Sequence, residues 1–68
     1  MRDWLKRIRE NQEITQRQLS LELDISESYY SLIENGERRP SPEVAQKIAA
    51  FLGGFEWTRF YTKEEADN

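Results

Sequence analysis

Small polar side chains share one face of a potential helix between residues 26 and 35. A helix turns by about 100° per residue, so a helix that begins after Ser26 would direct Tyr30 and Ile33 toward a core. The opposite face would then carry Ser28, Ser31, Leu32 and Asn35. Serine and asparagine can share hydrogen bonds with base edges, and an exposed leucine can contact a thymine methyl. A face that is only solvated usually carries lysine and glutamate, so we favour contact with DNA over an ordinary solvated face.

The chain has few residues with which to perform catalysis. It contains no histidine and no cysteine, which excludes a nucleophile with an imidazole base as well as a thiolate. Its serines have no plausible activating group. The 13 acidic residues would include close pairs in any small domain and do not by themselves indicate an active site. We therefore predict no enzymatic activity, no catalytic residue, no metal site and no cofactor.

Two short helices joined by a tight break would position the polar face. Thr15 and Gln18 have the spacing of a capping box, which predicts the start of a helix between them. Asp24 interrupts the apolar pattern, and a short polar residue tolerates the left-handed conformation of a tight turn. Ser26 is then the expected N-cap of the next helix, and Gly36 its expected end. This order is a helix-turn-helix, a motif that places its second helix in the major groove of DNA.

Further helices are expected on both sides of this motif. Asp3 is the expected N-cap of a first helix that runs to about Asn11, and Ser41 followed by Pro42 predicts a fourth helix that ends at Gly53. With a short aromatic segment after it, the sequence predicts an all-α, five-helix domain in which the second and third helices form the helix-turn-helix.

The length and apolar content favour a single small domain. A chain of 68 residues has no room for a second domain or for an effector-binding domain. We expect the helix-turn-helix domain at residues 1–61 and an acidic, disordered tail at residues 62–68. No apolar run is long enough to span a bilayer and no signal peptide is recognisable, which favours a cytoplasmic protein without a membrane partner.

The net charge of −3 argues against a nucleic-acid partner, because such proteins usually carry a basic surface. The charge is unevenly distributed, however. The chain has 10 basic and 13 acidic residues, and residues 62–68 contain one lysine and three of the acidic residues. The rest of the chain therefore has nine basic and ten acidic residues and is nearly neutral. A domain that neutralises few phosphates binds DNA weakly as one copy and gains from dimerisation.

The most specific part of the sequence is a Glu-Asn-Gly run followed by a basic loop that ends in proline. The relevant residues are Leu19, Ser20, Ile25, Ser26, Tyr30, Ile33, Glu34, Asn35, Gly36, Arg38, Arg39 and Pro40. With these residues the chain resembles the Cro and phage-repressor type of helix-turn-helix protein, also called the xenobiotic-response-element family, over about residues 4 to 60. The resemblance implies a repressor-like regulator of transcription from a bacterium or phage. It also implies a homodimer whose recognition helices lie about one turn, ~34 Å, apart on double-stranded DNA.

The resemblance also assigns roles to individual residues. Base readout is expected from Glu27, Ser28, Ser31 and Leu32. Phosphate contact is expected from Gln16, Arg17, Ser26, Tyr29, Arg38 and Arg39. Family members often carry a long amide or basic side chain where this chain has Glu27 and Leu32, so these two positions depart from the family pattern. The carboxylate of Glu27 could accept a hydrogen bond from a cytosine amine, or it could repel phosphate.

Two further expectations concern the arginines. Family members use the loop after the third helix to hold the DNA backbone, and the forks of Arg38 and Arg39 suit phosphate; the alternative is a solvated turn. The resemblance also implies an ion pair between Arg9 and Glu34 that ties the first helix to the recognition helix. The other basic residues near the first helix, including Arg2, are interpreted as a solvated face.

Four of the seven residues from Phe55 to Tyr61 are aromatic. Because this exceeds what one short helix usually needs to bury, Trp57 and Phe60 are candidate contacts of a homodimer. The alternative, which the sequence supports equally, is an aromatic cluster that caps the core of one chain.

A second class of function remains open at this stage. A helix-turn-helix body with an acidic balance could be a protein-binding module, such as an antitoxin or an adaptor with weak DNA affinity, since fold does not fix function. The rim formed by Gln16, Arg38 and Arg39 favours the DNA-binding interpretation, because a pure protein binder has no reason to keep it.

Overall fold

The computed structural model describes residues 1–62 and contains only helices and connecting segments. Four α-helices and one 3-10 helix follow one another: α1 (Asp3–Asn11), α2 (Gln16–Leu23), α3 (Glu27–Glu34), α4 (Pro42–Leu52) and the 3-10 helix at Trp57–Tyr61. The prediction of an all-α domain is confirmed, with a 3-10 helix in the segment where a fifth helix was expected. Of the predicted tail, all residues after Thr62 lie outside the described part of the chain.

Three of the four N-caps predicted from the sequence are formed, whereas the N-cap of α1 is Arg2 instead of Asp3 and makes no capping hydrogen bond through its side chain. Thr15 Oγ1 accepts a hydrogen bond from the backbone nitrogen of Gln18 at 3.0 Å, and Gln18 Oε1 accepts one from the backbone nitrogen of Thr15 at 2.8 Å. Ser26 and Ser41 cap α3 and α4 through their hydroxyl groups. Each cap satisfies a backbone donor that the first turn of a helix leaves without a partner.

Two residues with positive φ set the geometry of the helix-turn-helix. Asp24 lies in the left-handed region, with φ 58° and ψ 46°, and makes the tight turn between α2 and α3. Gly36, with φ 81°, follows the C-terminal end of α3. A Cβ atom at Gly36 would lie 3.4 Å from the backbone nitrogen of Met1. This distance is an ordinary van der Waals contact, so glycine is favoured here by the positive φ and not by a lack of space.

The core lies between the helices and takes side chains from every one of them. Its buried hydrophobic residues are Leu5, Leu19, Leu23, Tyr30, Ile33, Val44, Ala45, Ile48, Leu52 and Phe60. Tyr30 and Phe60 are the largest of the fully buried side chains. None of the helices in residues 1–62 is long and apolar enough to cross a membrane.

The aromatic residues near the C-terminal end divide into a buried and a partly exposed group. Phe60 is fully buried, and its ring centroid lies 5.2 Å from that of Trp4 and 5.8 Å from that of Phe55. The prediction of Phe60 as a dimer contact is therefore corrected, because its side chain fills the core of a single chain and has no surface to offer a second copy. Trp57 is only half-buried and packs edge-on against Tyr61 at 6.0 Å.

Candidate nucleic-acid interface

The residues predicted to read bases lie together on one surface. A shallow groove of about 420 Å³ is lined by Gln16, Glu27, Ser28, Ser31 and Leu32. Glu27 and Ser28 are exposed, whereas Ser31 and Leu32 are half-buried. The groove thus combines the outward face of α3 with the first residue of α2, and it offers two hydroxyls, one carboxylate, one amide and one apolar side chain.

The N-terminal ends of α2 and α3 differ in charge. The first turn of α2 has no acidic residue and contains the exposed Arg17, whereas the first turn of α3 contains Glu27. Because backbone N–H groups give a helix N-terminus a partial positive charge, the start of α2 is better suited to a phosphate. At the start of α3, Ser26 Oγ accepts a hydrogen bond from the backbone nitrogen of Tyr29 at 3.0 Å, which leaves the hydroxyl hydrogen free to donate. The Tyr29 side chain is half-buried.

A buried ion pair joins α1 to the last turn of α3. Arg9 Nε and Nη2 donate to the two carboxylate oxygens of Glu34, each at 2.8 Å. Arg9 Nη1 donates to the carbonyl oxygen of Ile14 at 2.7 Å. Only 7% of Arg9 and 1% of Glu34 are exposed. The two-pronged geometry fixes both the distance and the rotation between the helices.

Gln16 connects this buried pair to the surface groove. Its Nε2 donates to Glu34 Oε1 at 3.1 Å. One amide hydrogen of a residue predicted to contact phosphate is therefore used inside the protein, and the second remains available for another acceptor. The hydrogen bond to the buried Glu34 carboxylate therefore holds the Gln16 side chain in position beside the groove.

The Arg9–Glu34 pair remains ionised because its hydrogen bonds outweigh burial. Burial alone would raise the pKa of Glu34, but the bonds that this carboxylate accepts from Arg9 and Gln16 hold its pKa below the ordinary value. The hydrogen bond to Glu34 raises the pKa of Arg9. The nearby Tyr30 stays neutral, because burial, followed by the charge of Glu34, raises the pKa of its hydroxyl.

Arg2 has a structural role that its interpretation as part of a solvated face missed. It is buried, and its backbone nitrogen donates to the carbonyl oxygen of Glu34 at 2.8 Å. Its Nη1 donates to the carbonyl oxygens of Ile33 and, at 3.0 Å, of Arg38. The guanidinium also lies 5.4 Å from the centre of the Phe60 ring. A cation is thus placed at the C-terminal end of α3, where free carbonyl groups accumulate.

The backbone of the loop after α3 is held while its two arginine side chains remain exposed. The backbone nitrogen of Arg38 donates to the carbonyl oxygen of Leu32 at 3.2 Å, and the Tyr61 hydroxyl donates to the carbonyl oxygen of Pro40. Arg39 lies 5.9 Å from the centre of the Tyr61 ring. Arg38 and Arg39 are both exposed, and their loop is connected through Arg2 to the end of α3.

Comparison with known proteins agrees with this geometry. A profile described as helix-turn-helix matches residues 5–57. An uncharacterized HTH-type transcriptional regulator, YqaF of Bacillus subtilis (strain 168), is 44% identical over 61 residues, which cover 90% of this chain and 79% of that protein. Control protein C.MunI of Mycoplasma sp is 40% identical over 50 residues, which cover 72% and 68%. No solved structure gives a significant match.

Proposed function

Because the chain belongs to the Cro/C1-type helix-turn-helix family of DNA-binding transcriptional regulators, which are not enzymes, we propose that it is a repressor that binds a near-palindromic operator as a homodimer. The observation that carries this proposal is the groove in which Gln16 meets the four candidate readout residues of α3. A repressor of this kind acts in the cytoplasm and occludes polymerase by occupying overlapping DNA.

In this proposal α3 is the recognition helix and lies in the major groove. Ser28 and Ser31 exchange hydrogen bonds with base edges, and Leu32 contacts a thymine methyl group. Glu27 accepts a hydrogen bond from a cytosine amine, which makes a cytosine at that position favourable and leaves the carboxylate without a donor opposite guanine or thymine. Specificity then comes from few contacts, and each wrong base costs about 1–3 kcal/mol.

Phosphate contacts set the position of the recognition helix on the duplex. We assign this role to Gln16, Arg17, Ser26, Tyr29, Arg38 and Arg39. The free N–H groups at the start of α2 support the assignment of Gln16 and Arg17. The exposure of Arg38 and Arg39 supports their assignment to phosphate contact, since an arginine fork can bind a phosphate through two hydrogen bonds.

Dimerisation supplies the affinity that one nearly neutral domain lacks. The chain carries a net charge of −3, and only three of its basic side chains belong to the proposed interface, so a single copy neutralises few phosphates. Two linked copies bind a two-fold operator far more tightly than one. We propose that the 3-10 helix, as the fifth helical element, presents the half-buried Trp57 to the second copy. In this proposal the concentration of the protein controls how much of the operator is occupied, and no small-molecule effector is required. Residues 62–68 lie outside the DNA-binding domain.

Selection of binding sites from random duplexes tests the proposal directly. We expect a two-fold symmetric motif with half-sites about one helical turn apart. Binding of the selected duplex at two salt concentrations should weaken as salt rises, because each neutralised phosphate releases counterions. Failure to enrich any motif, with weak binding that disappears at moderate salt, would contradict the proposed function.

A further inference from the structure

A second surface, on the side of the molecule formed by α2 and α4, exposes large apolar side chains. In the described part of the chain only Met1, Leu21 and Phe51 are large hydrophobic residues with high exposure. Leu21 lies on α2 and is 71% exposed, and Phe51 lies near the end of α4 and is 43% exposed. Single exposed apolar residues are common, but two that line a common depression mark a surface suited to binding.

Phe51 lines two hollows on this side of the molecule. One hollow of about 410 Å³ is lined in part by Leu23, Ala50 and Phe51. The other, of about 320 Å³, is lined in part by Ile14, Leu21 and Phe51. Glu22 borders both hollows. We call this surface, defined by Leu21, Phe51 and the two hollows, the α2–α4 face.

The charged residues around the α2–α4 face are mainly acidic. Glu13, Glu22 and Asp24 border it, against the single positive charge of Lys47. The ammonium group of Lys47 already lies 3.7 Å from the carboxylate of Glu43 one turn earlier in α4. The face therefore combines apolar hollows with an excess of negative charge, which complements a partner that carries apolar side chains flanked by lysine or arginine.

The α2–α4 face is separate from the candidate DNA interface although both use α2. Gln16 lines the groove beside α3, whereas Leu21 lines a hollow beside α4. Five residues along a helix correspond to a rotation of about 140° and a rise of about 7.5 Å. A partner on the α2–α4 face can therefore bind without displacing DNA.

We propose that the α2–α4 face binds a basic segment of another protein through apolar anchor side chains. Two copies of this chain are disfavoured as occupants of each other's face, because the acidic borders would repel. One adjacent basic pair that one copy could offer a second, Arg38 and Arg39, has no large apolar neighbour and is followed directly by Pro40. The other, Lys6 and Arg7, is flanked by Leu5 and Ile8, which are used in or against the core of their own chain. The inference does not depend on the proposed repressor function.

Selection from a displayed library of random peptides, with the full-length chain as bait, provides the probe. We expect enriched peptides that combine large apolar residues with lysine or arginine. Leu21→Ser combined with Phe51→Ser should weaken binding of a synthetic enriched peptide by about tenfold or more, since a few anchors supply most of the affinity of such an interface. Circular dichroism of the double variant confirms that it remains folded.

A charge variant tests the acidic border without touching the apolar residues. Glu22→Lys combined with Asp24→Asn should weaken peptide binding, and asparagine tolerates the left-handed conformation at residue 24. Glu37→Lys combined with Glu56→Gln makes the same change in net charge at exposed positions that do not line the two hollows and should leave peptide binding unchanged. Operator binding by the Glu22→Lys, Asp24→Asn variant should not fall below that of the wild type, which separates this test from that of the repressor function.

Three results would overturn the proposal. One is the absence of any enriched peptide, and another is enrichment of peptides whose binding the face variants do not weaken. The third is a sedimentation experiment in which Leu21→Ser with Phe51→Ser converts a dimer of the wild-type chain into a monomer, because the occupant would then be a second copy.

Discussion

The two ends of the recognition helix α3 are held in different ways. At its N-terminal end, Ser26 supplies one capping hydrogen bond and Glu27 is exposed. At its C-terminal end, Glu34 is buried in an ion pair with Arg9, and Arg2 binds the final carbonyl groups. The helix is thus fixed through its buried Glu34 side chain and its final carbonyl groups, whereas its candidate readout residues, including Ser31 and Leu32 of the same last turn, line the groove. Positioning and readout are separated between two faces of one short helix.

This separation has an energetic consequence for substitutions. A capping hydrogen bond contributes about 1 kcal/mol, whereas removal of one partner from a buried ion pair costs about 3–5 kcal/mol, because it leaves a buried charge without compensation. Changes at the C-terminal end of α3 should therefore affect stability first and DNA binding as a result. Changes on the outward face should affect DNA binding alone.

The largest effect is expected at Glu34. Glu34→Gln leaves the guanidinium of Arg9 buried without its carboxylate and should lower the free energy of unfolding by about 3 kcal/mol, measured by urea denaturation. Glu37→Gln makes the same chemical change at an exposed residue three positions later and should stay within about 0.5 kcal/mol of the wild type. Arg9→Met combined with Glu34→Leu should recover much of the loss. Equal effects of the two glutamine substitutions would contradict the proposed role of the ion pair.

The pH dependence of stability tests the same ion pair. The folded-state pKa of Glu34 lies below its unfolded value. Its contribution is therefore complete above the ordinary glutamate pKa of about 4.3 and is lost as the pH falls through the lower folded-state pKa. The difference in unfolding free energy between the wild type and Glu34→Gln should be constant near neutral pH and should shrink in acid. A difference that grows in acid would contradict this sign.

Arg2 should give the second largest effect. Arg2→Met keeps much of the buried hydrocarbon but removes the hydrogen bonds to the carbonyl groups of Ile33 and Arg38, which should cost about 2 kcal/mol. Operator affinity should fall as well, since the loop that carries Arg38 loses its connection to α3. Arg7→Met, at an exposed position of α1, is the control for both measurements. If the folded Arg2→Met variant binds the operator as well as the wild type does, Arg2 does not support the DNA interface.

The loop arginines should change binding with little effect on stability. Arg38→Ala combined with Arg39→Ala should weaken binding to all duplexes by roughly tenfold or more and reduce the salt slope by about 2, because two phosphate contacts are lost. Arg7→Ala combined with Lys47→Ala removes the same charge from exposed positions outside the proposed interface and should leave the slope nearly unchanged. The same loss in both double variants would indicate a general effect of charge.

The helices and their ends could be predicted because their signals are local. Thr15, Ser26 and Ser41 each cap the helix that follows, and a capping interaction spans only three residues of sequence. The left-handed turn at Asp24 was predicted for the same reason. The shared surface of Ser28, Ser31 and Leu32 followed from helical periodicity once the start of α3 was fixed.

The contacts that the sequence did not reveal are those between distant parts of the chain. Arg2 precedes α1 and contacts carbonyl groups 31 and 36 residues away, a separation that carries no periodic signal. The depth of Phe60 depends on how the 3-10 helix packs against Trp4 and Phe55. An aromatic cluster predicts burial in general but does not distinguish a core position from a surface that binds a second copy.

The smallest effect, and the one that best isolates readout, is expected at Ser28. Ser28→Ala removes one exposed hydroxyl that lines the α3 groove and should leave the free energy of unfolding within about 0.5 kcal/mol of the wild type. If the hydroxyl contacts a base edge, affinity for the selected operator should fall by about 1 kcal/mol, while binding to random duplex should not change. Thr58→Ala, at an exposed position in the 3-10 helix, should alter neither. A uniform loss on all duplexes would move Ser28 from base readout to backbone contact. The bases would then be read by the other three candidate residues of α3.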